Sequence, residues 1–195
     1  MPADAHVPLA VLAGAASFTI RAPQYSATYM KLFSQDILDE LTAKAAASPR
    51  QRANHNIHAS AADPVQRFLI AARKETYFRP HRHATKSELA LVLRGYFDVL
   101  TFDERGSVTG RYRVGSDTRN IGFETPSGTW HTLLAGTDGA AFLEIKEGPY
   151  DPATAVEFAP WAPAEGHASV PTFQQWLRAV QPGSPAFDSG TSDSK

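Results

Sequence analysis

The feature that most narrows the folds open to this chain is His81-x-His83-x4-Glu88, followed by the apolar run Leu89–Leu93 and Gly95. On an extended strand, residues two apart point to the same face, roughly 6–7 Å apart along the chain. His81 and His83 can therefore reach one ion from one side. A turn across 84–87 would return Glu88 on the next strand. Two imidazoles and a carboxylate form a facial set of N and O ligands. Such a set suits Fe(II), Mn(II), Ni(II), Zn(II) or Cu(II) and leaves positions for water or substrate. A fourth ligand is offered by Pro126-x-Gly128-x2-His131, where Pro and Gly two apart make a tight turn before a new extended run, 131–135. The spacing thus predicts a metal centre of His81, His83, Glu88 and His131, with one divalent transition metal ion per chain (Fe, Mn, Ni or Zn).

The remaining elements are mostly short strands. Residues 34–47 read as a helix, with Ser34 as cap, an apolar stripe of Ile37, Leu38 and Leu41, and Ser48-Pro49 as its stop. Strands follow at 65–73, 89–94, 96–102, 108–114, 121–125, 131–135 and 140–146, separated by turns such as Asp103–Gly106. Phe173, Trp176, Leu177 and Val180 recur at helical spacing and predict a short amphipathic helix over 172–180. Many strands without βαβ alternation argue for an all-β sandwich or barrel. The Pro- and aromatic-rich stretch 147–165 is expected to strap Tyr150, Phe158 and Trp161 over it. The expected division is an extension over 1–29, disordered or preceding a functional start at Met30, one domain over 30–180 with an N-terminal arm, and a disordered Gly-, Ser- and Pro-rich tail over 181–195.

Composition removes several function classes. The formal net charge of the 195 residues is −1, which gives no global electrostatic case for nucleic acid or an anionic membrane. The apolar stretch 7–20 is too short for a membrane span and lacks the basic start of a signal peptide. There is no cysteine, so disulfides, thiolate metal sites and Cys nucleophiles are excluded, and a cytoplasmic protein is the simplest expectation.

Polar residues at strand spacing add candidates for a ligand site. Arg50, Arg52, Asn54, Asn56 and His58 share one face of an extended arm. They read either as a wall that binds an anionic or hydroxyl-rich ligand, or as an exposed edge made polar against aggregation. Arg67 lies in the next strand. Phe142, Glu144 and Lys146 share a face of the last one, and Glu144 or Lys146 is expected beside the metal.

The two histidine stretches resemble the signature motifs of the cupin superfamily. The matches are His81, His83, Glu88 and Gly95, then Pro126, Gly128 and His131; the departures are Glu75, Asn120 and Ala135, at turn rather than ligand positions. The resemblance implies a cupin double-stranded β-helix, a jelly-roll barrel with the metal inside. A narrower set of matches is similar to the WbuC family of cupin-fold metalloproteins: Arg52-x-Asn54-x-Asn56-x-His58, Val65-x-Arg67, Arg79-x-His81-x-His83, Trp130-His131-Thr132, Lys146-x-Gly148-Pro149-Tyr150 and Trp161-x-Pro163-x-Glu165. That resemblance implies a context of O-antigen and sugar metabolism.

Together these readings predict a metal-dependent enzyme on a small polar substrate such as a sugar, sugar phosphate or nucleotide sugar. An isomerase or epimerase would use His58 or Glu144 as base, with Arg52, Asn54, Asn56, Arg67 and Lys146 on the substrate. Fe(II)-dependent oxygen chemistry and a non-catalytic ligand-binding or sensing module are the alternatives. The expected partner is a small molecule, with no nucleic acid or membrane, and a homodimer formed through the N-terminal arm is expected.

Overall fold

The computed structural model describes residues 30–188; the expected extension at 1–29 and the tail residues 189–195 lie outside the described residues. Two helices and ten strands follow in order: α1 Gln35–Ala47, β1 Arg52–Asn56, β2 Val65–Ala72, β3 His81–Arg82, β4 Glu88–Arg94, β5 Tyr96–Phe102, β6 Val108–Gly115, β7 Gly122–Thr125, β8 Trp130–Ala135, β9 Ala140–Glu147, β10 Glu157–Phe158 and α2 Val170–Ala179. One sheet runs β1-β2-β9-β4-β7 and the other β10-β3-β8-β5-β6, with every pairing antiparallel. From β6 onward the chain crosses between the sheets at each step. The fold is all-β, a jelly roll of two five-stranded antiparallel sheets with a short helix near each end of the described residues.

Period-two alternation sorts the side chains into layers. Inside, Ala90, Val92, Phe97, Val99, Leu133, Ala135 and Phe142 form an apolar core, with the Phe97 and Phe142 rings edge-to-face at 5.1 Å. On the outer face of the first sheet, α1 buries Leu38, Leu41 and Ala45 over Leu69, Ala71 and Ala141. Ser34 occupies the N-cap position of α1 but makes no side-chain capping bond, so tertiary packing holds this helix. On the outer face of the second sheet, Leu100, Phe102, Trp130 and Leu134 are covered by Phe173 and Leu177 of α2 and by Ala159 and Ala162.

Two expectations for the C-terminal part are corrected. Residues 181–188 are not a loose tail: Val108 donates to Ser184 O at 2.9 Å, Gly183 donates to Val108 O at 2.8 Å, and Phe187 packs edge-on to Phe173 at 5.1 Å. A single aromatic and an open edge at Val108 outweigh the loop-like composition. The strap also divides its aromatics. Trp161 packs on Phe102 at 5.0 Å, whereas Tyr150 and Phe158 stay about half exposed.

Asp98, on the outer face of β5, ties α2 to the barrel. It accepts from Arg113 Nε at 2.9 Å and from Arg111 Nη2 at 2.8 Å. Arg111 Nη1 in turn donates to Leu177 O at 3.0 Å and Val180 O at 2.9 Å, the open carbonyls at the end of α2. Burial opposes ionisation of Asp98, but the hydrogen bonds from Arg113 and Arg111 prevail and hold its carboxyl below the usual range. Its folded value is depressed, so its contribution is complete above about pH 4 and disappears as pH falls toward that value. Asp98→Ala should cost about 1–3 kcal/mol in urea unfolding at pH 7. Part of the wild-type stability loss below about pH 4 should be absent from the variant; equal stability at pH 7 would deny Asp98 this role.

Candidate metal centre

The two histidine stretches meet because β3 and β8 are neighbours. His81 stands opposite His131 in the ladder, and the Gly128 amide donates to His83 O at 2.8 Å. Gly128 adopts φ +77°, which lets the Pro126 turn close on β3. Gly95, with φ +64°, turns β4 into β5. Glu88 opens β4, with its neighbours Lys146 on β9 and Thr125 on β7. His81 and His131 thus come from one sheet and Glu88 from the other, with His83 just beyond β3.

One potential ligand atom from each of His81, His83, Glu88 and His131 lies within 4.8 Å of the other three. His83, Glu88 and His131 are buried, and His81 is half-buried. Each imidazole has its Nδ1 against a backbone carbonyl: Arg79 O at 2.9 Å for His81, Ala155 O at 2.5 Å for His83, and Thr129 O at 2.9 Å for His131. A carbonyl accepts only, so each Nδ1 carries the proton and, in a neutral ring, each Nε2 presents a lone pair. His131 Nε2 is buried with no hydrogen-bond partner among the described residues. His83 Nε2 sits 2.7 Å from Glu88 Oε2. A neutral ring has one N–H and cannot donate both to Ala155 O and to Glu88; a cation between Nε2 and Oε2 satisfies both atoms. The donor set fits a divalent transition metal on these observations.

The electrostatics agree. Burial, reinforced by His131, pushes His81 down to about 3, and burial lowers His131. Both rings are neutral at pH 7, the form that ligates. Burial opposes ionisation of Glu88, yet its polar contact with His83 and the charge of Lys146 outweigh it and hold Glu88 at about 2. Lys146 Nζ is 2.7 Å from Glu144 Oε1 and 3.6 Å from Glu88 Oε2. Burial and the Glu88 charge push Glu144 up to about 7, against the pull of Lys146.

Around this cluster the other sequence candidates separate. A cavity of about 200 Å³ is lined by His81, His83, Arg52, Arg79, Lys146 and Phe158. Glu144 lies behind Lys146, 8% exposed. A second cavity of about 490 Å³ holds Asn54, Asn56, His58, Gln66, Phe68 and Tyr150, and Tyr150 also borders the first. His58 Nδ1 is engaged by the backbone of Arg67 at about 3 Å. Arg67 itself is not brought to either cavity. Gln66 and Phe68 take the inward face of β2, so alternation turns Arg67 outward, where its guanidinium is 3.8 Å from Asp63. Sequence reasoning passed over Arg79 and Glu165 as cavity residues. Both stand within the WbuC-like matches, but only Arg79 has a local pointer to the site, Pro80, which ties it rigidly to His81.

A family model described as a domain of unknown function (DUF6016) matches residues 33–114. No curated protein matches the chain. Among solved structures, KdgF from Halomonas sp. is similar at 14% identity over 53% of this chain and 84% of its own, with a TM-score of 0.42. A recombinant oxalate oxidase in complex with glycolate shows 15% identity over 69% of each chain, TM-score 0.44. The capsular polysaccharide assembling protein CapF from Staphylococcus aureus shows 20% identity over 50% of this chain and 27% of its own, TM-score 0.43.

If the four residues bind one ion, excess metal should raise the melting temperature of wild type; saturation at 100 times Kd corresponds to about 2.7 kcal/mol. His131→Ala and His83→Ala should each lose that rise and the bound metal measured by elemental analysis, while keeping the far-ultraviolet spectrum of the fold. Stoichiometric metal in either variant would overturn the ligand set.

Proposed function

We propose that this chain is a metal-dependent enzyme that moves a proton on a small polar substrate such as a sugar, sugar phosphate or nucleotide sugar. The observation that supports it most is the set of three carbonyl-anchored imidazoles converging with Glu88 beside an open cavity. His81, His83, Glu88 and His131 would hold one divalent ion, Fe, Mn, Ni or Zn. When bound, such an ion supplies Lewis-acid polarisation of a substrate oxygen.

The chain's own residues do the rest. Lys146 lines the cavity and Glu144 Oε1 lies 2.7 Å from its Nζ, so the two would relay a proton: the Lys146 ammonium passes a proton to the Glu144 carboxylate as it takes one from the substrate, and the reverse transfer returns it. A carboxyl held near 7 suits both directions of transfer at neutral pH. His58 is the other candidate base, reached only by a substrate that extends past Tyr150 into the larger cavity. Asn54 and Asn56, hydrogen-bonded to each other at 2.8 Å, offer their remaining amide groups to hydroxyls there. The WbuC-like residues Arg52, Asn54, Asn56 and His58 all border one of these two cavities, which supports a sugar-sized ligand in a polysaccharide or O-antigen context.

Native mass spectrometry of protein purified without chelator, with elemental analysis, tests the reading. One transition metal per chain with a co-purified sugar-phosphate or nucleotide-sugar mass is the expected result. Absence of metal even after reconstitution would overturn it, and turnover that consumes O2 would replace proton transfer by oxygenase chemistry. With the substrate so identified, Glu144→Gln should lower kcat by about 100-fold or more while retaining the metal. An unchanged kcat would exclude the relay.

A further inference from the structure

The cations expected to hold an anionic substrate group are mostly already matched. Arg52 Nη2 donates to Glu165 at 2.7 Å and its Nη1 to Tyr77 O at 2.6 Å. Lys146 is paired with Glu144, and Arg67 faces outward beside Asp63. Arg79 differs. It lines the cavity with His81 and His83, yet no carboxylate among the described residues pairs with it. Among the described residues its hydrogen bonding amounts to one donation, from Nη2 to Ala159 O at 3.1 Å, and its Nε is buried without a partner. The guanidinium carbon lies 5.0 Å from the centre of the Phe158 ring, which fixes the side chain without neutralising it.

A half-buried guanidinium with unmatched charge and unspent donors costs stability unless an anion completes it. Its planar fork fits an oxyanion at two points. Pro80 sits between Arg79 and His81, so the cation is held two residues from a candidate ligand along a rigid stretch of backbone. We propose that Arg79 binds the carboxylate or phosphate of a substrate whose adjacent hydroxyl or carbonyl oxygen faces the metal centre. On the proposed function, on which this rests, the substrate is then an acidic sugar derivative or hydroxy acid rather than a neutral sugar.

Isothermal titration calorimetry on the full chain, both treated with chelator and loaded with one equivalent of Mn2+, would compare gluconate, inorganic phosphate and the neutral polyol glucitol. Wild type should bind one of the anions at least tenfold tighter than glucitol. Arg79→Gln should lose about tenfold or more of that affinity, whereas Arg79→Lys should keep part of it. Both variants should retain Mn2+ and melt within a few degrees of wild type. Gluconate or phosphate as the Arg79-dependent ligand assigns the carboxylate or phosphate class. Equal anion affinity in Arg79→Gln, or no preference of wild type for either anion over glucitol, overturns the proposal. The metal reading fails separately: wild type that takes up no Mn2+ but keeps Arg79-dependent anion binding supports the anion site and removes the metal enzyme.

Discussion

The structure of the site depends on one cross-strand pair, His81 opposite His131. A ladder pairing fixes both the separation and the facing of two side chains, so a shift of one residue in either strand would turn that strand's imidazole out of the barrel and break the pair. Everything else converges on that register. The carbonyls of Arg79 and Thr129, each two residues before its histidine, orient the two rings, and Gly128 bonds to His83 O so that the third ring is set by the same junction. The strap then adds the Ala155 carbonyl on His83 and is itself gripped by Arg82, which points outward between the two inward histidines and binds Glu157 through two nitrogens at 2.8 and 3.0 Å. Alternation along three consecutive residues thus supplies both the ligands and their outer support.

The barrel interior is divided along its strands. Inward positions of β4 read Glu88, Ala90, Val92; those of β8 read His131, Leu133, Ala135; those of β9 read Lys146, Glu144, Phe142, Ala140. One end is polar and the other apolar in all three. The apolar end, with Phe97 and Phe142 fully enclosed, provides the hydrophobic driving force, and the strands it holds rigid carry the polar groups at their other ends. His81, Glu88, His131, Glu144 and Lys146 therefore sit on paired strands, whereas His58, Arg79 and His83 lie in the connections beside them.

Much of this was legible in the sequence. The strands, their turns and both helices follow from periodicity and punctuation, and H-x-H followed by a distant P-x-G-x2-H specified the cluster because same-face spacing on strands is a local property. What was not legible depends on three-dimensional neighbours. Arg67 looked equivalent to Arg52, and only the inward facing of Gln66 and Phe68 decides that it turns outward. Glu165 is remote in sequence from Arg50 and Arg52, which it binds, and its role arises from where the strap lands. The described part of the tail looked disordered by composition, yet Phe187 found Phe173 and Trp176. In each case long-range packing overrides a local signal.

The polar end of the barrel is hard to explain as a device for stability. Enclosing Glu88, Glu144, Lys146 and three imidazoles desolvates ionisable groups, and apolar residues of similar volume in a buried ionic cluster are often neutral or stabilising. The neighbouring inward positions show that these strands accept Val, Leu and Phe without difficulty. His131 Nε2 is left buried with no partner among the described residues, and Glu144 is pushed to about 7, both signs of a cluster whose groups do not satisfy one another. Local conflict of this kind is tolerated where a ligand resolves it. A divalent ion would remove the conflict at His131 and between His83 and Glu88 together. Arg79, which no carboxylate among the described residues pairs with, would still be unmatched, and the proposed anion would complete it.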